Sequence, residues 1–539
     1  MTTTMNASVY NVRDYGAVGD GETLDTAAIN QAIADCNEQG GGTVWLPSGT
    51  YLSGTVFMRS HVTLHLDAGS VLLGSPDMAD YPKLPYTSEF RNTALIASIG
   101  AKQIAITGSG VIDGNGDSFA CLDQADLLRD FDASFTRQGS DYFRENDKAD
   151  DGPVDMKERP GILVLILNSL DAQVSHVRIR NTPNWCIHVA CTDGVLLTGL
   201  DIRNSLLIPN ADGIDVSRSR NVRISDCNIE AGDDGLAFSP CAEGYGGSGC
   251  EHVVVQNCTI KSRSAGIRIG WDANGFRNFM FHNIVIRESN RGIGLFLRES
   301  ESIENVVFSN IIIETRLHKG KWWGKAEPIH ISAVKGFPHS GELGSVRNVT
   351  FTNITVKSEH GIVLYGSEER PIENVTFQHV RMLVKSGPLQ ESFGGNLDFR
   401  PALDDHLKVF SHDIPALYAK HVKGLAIHGF DLEWSDDLPD FVQNGLDIEA
   451  FEDVTIDGFK GRQPQLEGDG AAIRLANGRQ ATIRNSVAKA GTTRFGSFEG
   501  VEEAGLFLGN DLSRAAQPLH AEAYGFTVAG CREGGGGSV

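Results

Sequence analysis

One phrase recurs along this chain of 539 residues: Asn, aliphatic, any residue, aliphatic, any residue, Asn or Asp, two more residues, aliphatic. It runs from Asn221 to Ile229, from Asn278 to Ile286, from Asn305 to Ile313, from Asn348 to Val356, and again from Asn374. Weaker copies begin near Ile104, Ala172, Val195, His252, Leu425, Val454 and Thr482. Matching positions are 27 residues apart at 278 and 305 and 26 apart at 348 and 374; the gap of 43 between 305 and 348 implies an insertion. Short runs of alternating β-branched residues broken by Asn and Gly read as strands, and a fixed period of this length reads as stacked identical units. Inward Val, Ile and Phe then form continuous ladders, and Asn suits the bends between strands. The expected fold is all-β: a right-handed parallel β-helix with long loop insertions. A β-sandwich would carry no repeat in register.

A coil needs covered ends. Asp25 to Ile33 offers an N-cap candidate followed by helical spacing of Ile29 and Ile33, so it reads as an N-terminal capping helix. The stretch from Gly116 to Glu158 breaks the repeat, is acidic, and is helix-like near Ala125–Arg129; such excursions commonly wall a groove. A second excursion spans Arg316 to Glu327. The repeat lapses after residue 385 and resumes near His421, so residues 1–539 are expected to form one solenoid domain, with 386–530 as C-terminal rungs and 531–539 as a flexible glycine-rich tail.

A net charge of −22 leaves nothing basic and contiguous to neutralise phosphates, which argues against nucleic acid as a partner. No apolar run reaches membrane-spanning length, and the first residues carry no basic region followed by an apolar stretch. The expectation is no membrane partner and a cytoplasmic location, or a secreted one if a leader has been removed. The nine cysteines are scattered without a Cys-x-x-Cys zinc spacing and read mostly as reduced, buried residues, with no metal or cofactor expected.

Against that frame three acids stand out: Asp212 in Asn210-Ala211-Asp212-Gly213-Ile214-Asp215, and Asp233 and Asp234 in Gly232-Asp233-Asp234-Gly235. Asp212 and Asp233 are 21 residues apart, about one rung, so neighbouring turns would bring all three together. Crowded carboxylates repel, which favours a proton on one of them and leaves the others ionised. An acid beside a base is what hydrolysis of a glycosidic bond needs.

Asn181-Thr182-Pro183-Asn184-Trp185, Asn210-Ala211-Asp212-Gly213-Ile214-Asp215 and Gly232-Asp233-Asp234-Gly235 resemble, in order, the signatures of the glycoside hydrolase family 28 polygalacturonases. The start, Tyr10 to Ala17 with Gly19-Asp20-Gly21, resembles that of many bacterial members, and the likeness runs over roughly residues 8–385. The resemblance implies a pectin-lyase-like solenoid, Asp233 as general acid, and Asp212 and Asp234 as the groups that hold and activate water. Inversion at the anomeric carbon would follow, with the acid and base expected roughly 6.5–9.5 Å apart.

The chain also departs from the family. The family's Asn-Thr-Asp reads Asn210-Ala211-Asp212, its Gly-His-Gly reads Ser264-Ala265-Gly266, and its Arg-Ile-Lys aligns with Gly294-Leu295-Phe296. The active-site histidine and the two cations that grip a galacturonate carboxylate are therefore absent at their usual places. Candidate substrate contacts are Asn210, Arg268, Trp271, Arg298, Trp322, Trp323 and Lys325. Arg298 shares strand parity with Gly294 and Phe296, and the tryptophans suit stacking on a sugar's apolar face. His282, His318 and His330 read as structural.

These features point to an inverting glycosidase acting on an oligo- or polysaccharide of pectic origin, of rhamnogalacturonan type or exo-acting rather than a plain galacturonanase. A hydrolase or transglycosidase of a non-pectic glycoside such as a rhamnoside, a polysaccharide lyase, and a non-catalytic carbohydrate-binding β-helix remain open. A lyase would need an Arg or Lys base that the clustered aspartates do not supply.

Overall fold

A computed structural model describes residues 8–85, 92–145, 149–239, 249–271, 275–336, 341–466, 468–503, 505–519 and 526–534. The chain forms two compact units, residues 1–127 with 148–262, and residues 128–147 with 263–539.

In the first unit three short strands and three bends make each turn of a coil. Strands Ile162–Leu167, Leu170–Ser175 and Arg178–Arg180 are followed one turn later by Trp185–Ala190, Asp193–Thr198 and Asp201–Arg203, each paired in parallel with its predecessor. The next turns bring Ile214–Ser217 beside Trp185–Ala190 and Leu236–Phe238 beside Ile214–Ser217. Ile187, Ile214 and Leu236 share one inward column and are fully buried, as the alternating pattern requires. Register partners are 27 residues apart from Ile187 to Ile214 but only 22 from Ile214 to Leu236. The strands stay in step while the bends absorb the difference.

The helix Thr26–Glu38 buries Ile29, Ala32, Ile33 and Cys36, the apolar stripe expected of a cap. Its N-cap departs from expectation. Asp25 makes no side-chain cap; its carboxylate accepts from the backbone N–H of Val18 (2.7 Å) and Gly19 (3.0 Å), fastening the preceding loop instead. The helix expected near Ala125 is also absent. Ala120–Ala125 is a strand, antiparallel to Val154–Met156, and Ala120 and Val154 pack on Ile208 and Ala211. That excursion therefore walls the turn that carries Asp212.

The second unit repeats the plan with longer strands. Phe276–Ser289, Ser302–Thr315, Ser345–Ser358 and Ile372–Val384 lie parallel and in register. Phe281, Phe308, Phe351 and Phe377 stack inside at 4.7, 4.9 and 5.0 Å between ring centres. At the bend Asn278, Asn305, Asn348 and Asn374 take left-handed φ of 54–62°, and the amides of the last three each donate to the asparagine one turn earlier at 3.1–3.2 Å. Asparagine tolerates that conformation, and its side chain completes the ladder. The coil resumes with Leu417–Trp434, and Arg532–Glu533 still pairs with Asp511–Leu512, so the expected tail begins later than residue 531. Residues 535–539 lie outside the described residues.

Two excursions belong to the second unit. Gln390–Phe393 is a single helical turn, and Asn396–Asp398 pairs antiparallel with Val409–Ser411. Phe131, Tyr142 and Phe143 pack with Phe393, Val409, Leu317 and Ala326. No helix among the described residues is long and apolar enough to cross a membrane. The eight described cysteines are free thiols; Cys241 lies outside the described residues.

Candidate active site

The register of 22 decides how the three acids meet. Asp212 lies two residues before Ile214 and Asp234 two before its partner Leu236, so they occupy the same position on consecutive turns. The backbone N–H of Gly213 donates to the Asp234 carbonyl at 2.9 Å, which holds that pairing. Asp233 is one residue out of step. Carboxylate oxygens of all three lie within 4.8 Å of one another.

Their surroundings differ. Asp212 and Asp234 are buried, at 3% and 4% exposure, while Asp233 is half-buried. The backbone N–H and the side-chain amide of Asn210 both reach Asp233 Oδ2, at 3.2 and 3.4 Å, and the Ser262 hydroxyl donates to the Asp233 carbonyl. Asn204, buried beneath, donates through Nδ2 to the Asp212 carbonyl at 3.0 Å. Two carboxylates thus sit stacked and shielded, with a third more exposed beside them. The oxygens are closer than the roughly 6.5–9.5 Å expected for an inverting pair. A water can still bridge Asp212 and Asp234, because hydrogen bonds of about 2.8 Å to each span a gap of this size. A divalent cation would suit the same spacing.

Ala211 stands where the family has threonine. It is fully buried against Ala120, Val154 and Ile208, an apolar wall that suits a methyl.

The other candidates lie in the second unit and divide into two groups. Trp271 and Trp323 are half-buried, 6.5 Å between ring centres and tilted 33°; Arg268 is half-buried and in register with Gly294. These three keep surface for a ligand. Arg298, Trp322 and Lys325 do not, and as substrate contacts they are corrected. Arg298 is fully buried and donates to the carbonyls of Leu297, Ser332 and Phe399 and to the Ser332 hydroxyl. Burial and then the charge of Arg291 push its guanidinium down to about 9. Lys325 Nζ is buried at 3.7 Å from Asp398 and donates to the Gly324 carbonyl; Trp322 is buried with its carbonyl accepting from Arg400.

The vacated Arg-Ile-Lys place is filled from within. The Phe296 ring folds over Gly294, where a Cβ would come within 2.5 Å of it, and the guanidiniums of Arg291 and Arg298 lie over that ring at 4.8 and 5.2 Å. Arg291 is paired with buried Glu327 at 3.2 Å. Burial would raise Glu327, but Arg291 and His330 hold it well below the usual carboxylate range. Asp398 is likewise driven up by burial and brought well below its ordinary value by Arg400 and Lys325. Arg291, Glu327, Asp398 and Arg400 had no signal in any local motif, because their partners come from segments far apart in the chain. His282, His318 and His330 are bonded to Ser309, the Glu288 carbonyl, and Glu327 with Ser332.

Sequence reading also passed over Arg159. Its Nη1 donates to the carbonyls of Pro183 (2.6 Å) and Pro209 (2.9 Å), joining the turns of the first two signatures.

Comparison with known proteins agrees with these signatures. A probable polygalacturonase of Vitis vinifera is 29% identical over 52% of this chain and 55% of its own length. An exo-poly-α-D-galacturonosidase of Dickeya chrysanthemi is 25% identical over 73% of this chain and 64% of its own. The chain thus spans between about half and two thirds of these relatives. The family 28 exopolygalacturonase of Yersinia enterocolitica superposes with a TM-score of 0.55 at 19% identity, covering 84% of this chain and 79% of that one, which establishes the right-handed parallel β-helix fold. The family model described as glycosyl hydrolases family 28 matches residues 36–392, most of the chain and all three signatures, and the chain belongs to that family.

Proposed function

We propose that the protein is an inverting glycosidase that removes residues from the end of pectin-derived oligosaccharides. The observation that carries the reading is the two-plus-one arrangement of acids: Asp212 and Asp234 stacked and buried, Asp233 half-buried beside Asn210. Asp233 protonates the leaving oxygen while Asp212 and Asp234 together hold the water that attacks the opposite face of the anomeric carbon. The bond from that carbon to the leaving oxygen breaks as the bond to water forms. The water's proton passes to the Asp212/Asp234 pair.

Exo-action is supported by the relative named as an exo-poly-α-D-galacturonosidase. Within the second unit Phe399 packs on His330 at 5.3 Å and on Tyr365 at 4.5 Å, so residues 396–411 lie across the outer face of those strands. Trp271 and Trp323 supply an apolar face for a pyranose, with Arg268 of the same unit as a polar contact. The filled Gly294–Phe296 place favours a neutral or differently substituted sugar there, since a buried carboxylate needs a cation. The relatives named as galacturonases favour a second reading, an exo-galacturonanase whose cation comes from elsewhere. Galacturonan, rhamnogalacturonan and rhamnoside oligomers, with product anomers followed by NMR, separate the readings. A retained anomer, or full activity in Asp233→Asn, would sink the mechanism.

A further inference from the structure

We propose that Arg159 is a positioning residue for Asp233, acting through the single peptide unit that joins Pro209 to Asn210. The carbonyl of that unit accepts from Arg159 Nη1 at 2.9 Å, and its N–H donates to Asp233 Oδ2 at 3.2 Å. One rigid plane therefore has the guanidinium on one side and the Asp233 carboxylate on the other. The same Nη1 donates to the Pro183 carbonyl at 2.6 Å, so the plane is fixed against the previous turn and is not free to tilt. A charged donor on the carbonyl also polarises the unit and strengthens the bond its N–H makes. Asn210 adds its side-chain amide to the same oxygen at 3.4 Å. Without Arg159 the turn loses the tie that sets the height and direction of both donors, and a carboxyl displaced by even about 1 Å protonates its target poorly.

The inference rests on the reading of Asp233 as the general acid, and leaving-group dependence tests the two separately. Arg159→Gln and Arg159→Lys in the full chain are compared with wild type and Asp233→Asn on an oligosaccharide the wild type cleaves. Each is also assayed on the 2,4-dinitrophenyl glycoside of the same terminal sugar, whose leaving group needs no proton. Arg159→Gln is expected to lower kcat on the oligosaccharide about 10- to 100-fold with KM within about twofold, and to lose less than about threefold on the aryl glycoside. Arg159→Lys, which keeps a charged donor, recovers most of the loss. If Arg159→Gln does not fold, as read from its thermal melt, Arg159→Lys carries the comparison with the same split at smaller size. Equal losses on both substrates, or none on either, overturn the role of Arg159. An Asp233→Asn variant equally impaired on both overturns the acid assignment instead.

Discussion

Asp212 and Asp234 are register partners on consecutive turns of the coil, and the Gly213 N–H to Asp234 carbonyl bond of 2.9 Å holds them so. Two buried carboxylates at one level can share one water, whereas Asp233, one residue out of step, meets different neighbours. Asp212→Asn and Asp234→Asn are each expected to lower kcat about 1,000-fold. On the proposal that they act on the same water, the double variant should lose no more than about tenfold beyond the worse single one. Single-turnover rates on a cleavable oligosaccharide check this. Multiplicative losses would mean that the two act separately.

The coil was legible because its period is written in residues that face inward and in the asparagines of the bend, both local features. The site was legible as far as its motifs, but not in its register. A spacing of 21 paired Asp212 with Asp233, whereas the bends here make the turn 22, which pairs it with Asp234. Arg298 shows the other limit. Its parity with Gly294 and Phe296 was read correctly, yet the Phe399 carbonyl, 101 residues further on, covers it. Nothing within a strand announces which distant loop will lie on it.

Arg298 should therefore matter to stability and not to substrate affinity. Arg298→Ala removes four hydrogen bonds, to three carbonyls and the Ser332 hydroxyl, and opens a cavity beside Phe296. A loss of about 3–5 kcal/mol is expected by chemical denaturation, with KM of the folded fraction unchanged. A raised KM at unaltered stability would return Arg298 to the substrate.

His330 predicts an acid-sensitive second unit. Burial, then Arg291, lowers it from 6.5 to about 4, against a smaller upward pull from Glu327. Its folded value lies below its unfolded one, so the unfolded chain binds the extra proton between those values. Stability is full above pH 6.5 and falls as pH drops towards 4, by about 3 kcal/mol for this group. His360, also lowered by burial, adds in the same direction. Denaturation midpoints at pH 7, 5.5 and 4.5 should decline, and His330→Asn should flatten part of that slope. A midpoint independent of pH over this range would refute the assignment.

Asn305 joins two rungs of the amide ladder at left-handed φ of 58°. Asn305→Ala removes both bonds and strains the backbone, so a loss of about 2 kcal/mol is expected. Asn305→Gly removes the same bonds without the strain and should cost about half as much. Thermal melts of the two variants separate backbone from side chain. Equal losses would assign the whole effect to the ladder.

The last expectation concerns how the polymer is cut. Residues 396–411 are not a loose flap over the second unit's strands. Asp398 is bonded by Arg400 and by the Gly324 N–H, its carbonyl accepts from Arg291, and the Phe399 carbonyl accepts from Arg298. Opening that face would uncover Arg291, Arg298 and Asp398, three buried charged groups, a cost too large for thermal motion to meet. The proposed exo-action takes a chain end and not a chain middle. On a long polymeric substrate the first product seen should thus be the shortest, with reducing ends rising in proportion while viscosity barely falls. A steep early drop in viscosity, with mid-length products from the start, would mean that the cleavage is internal.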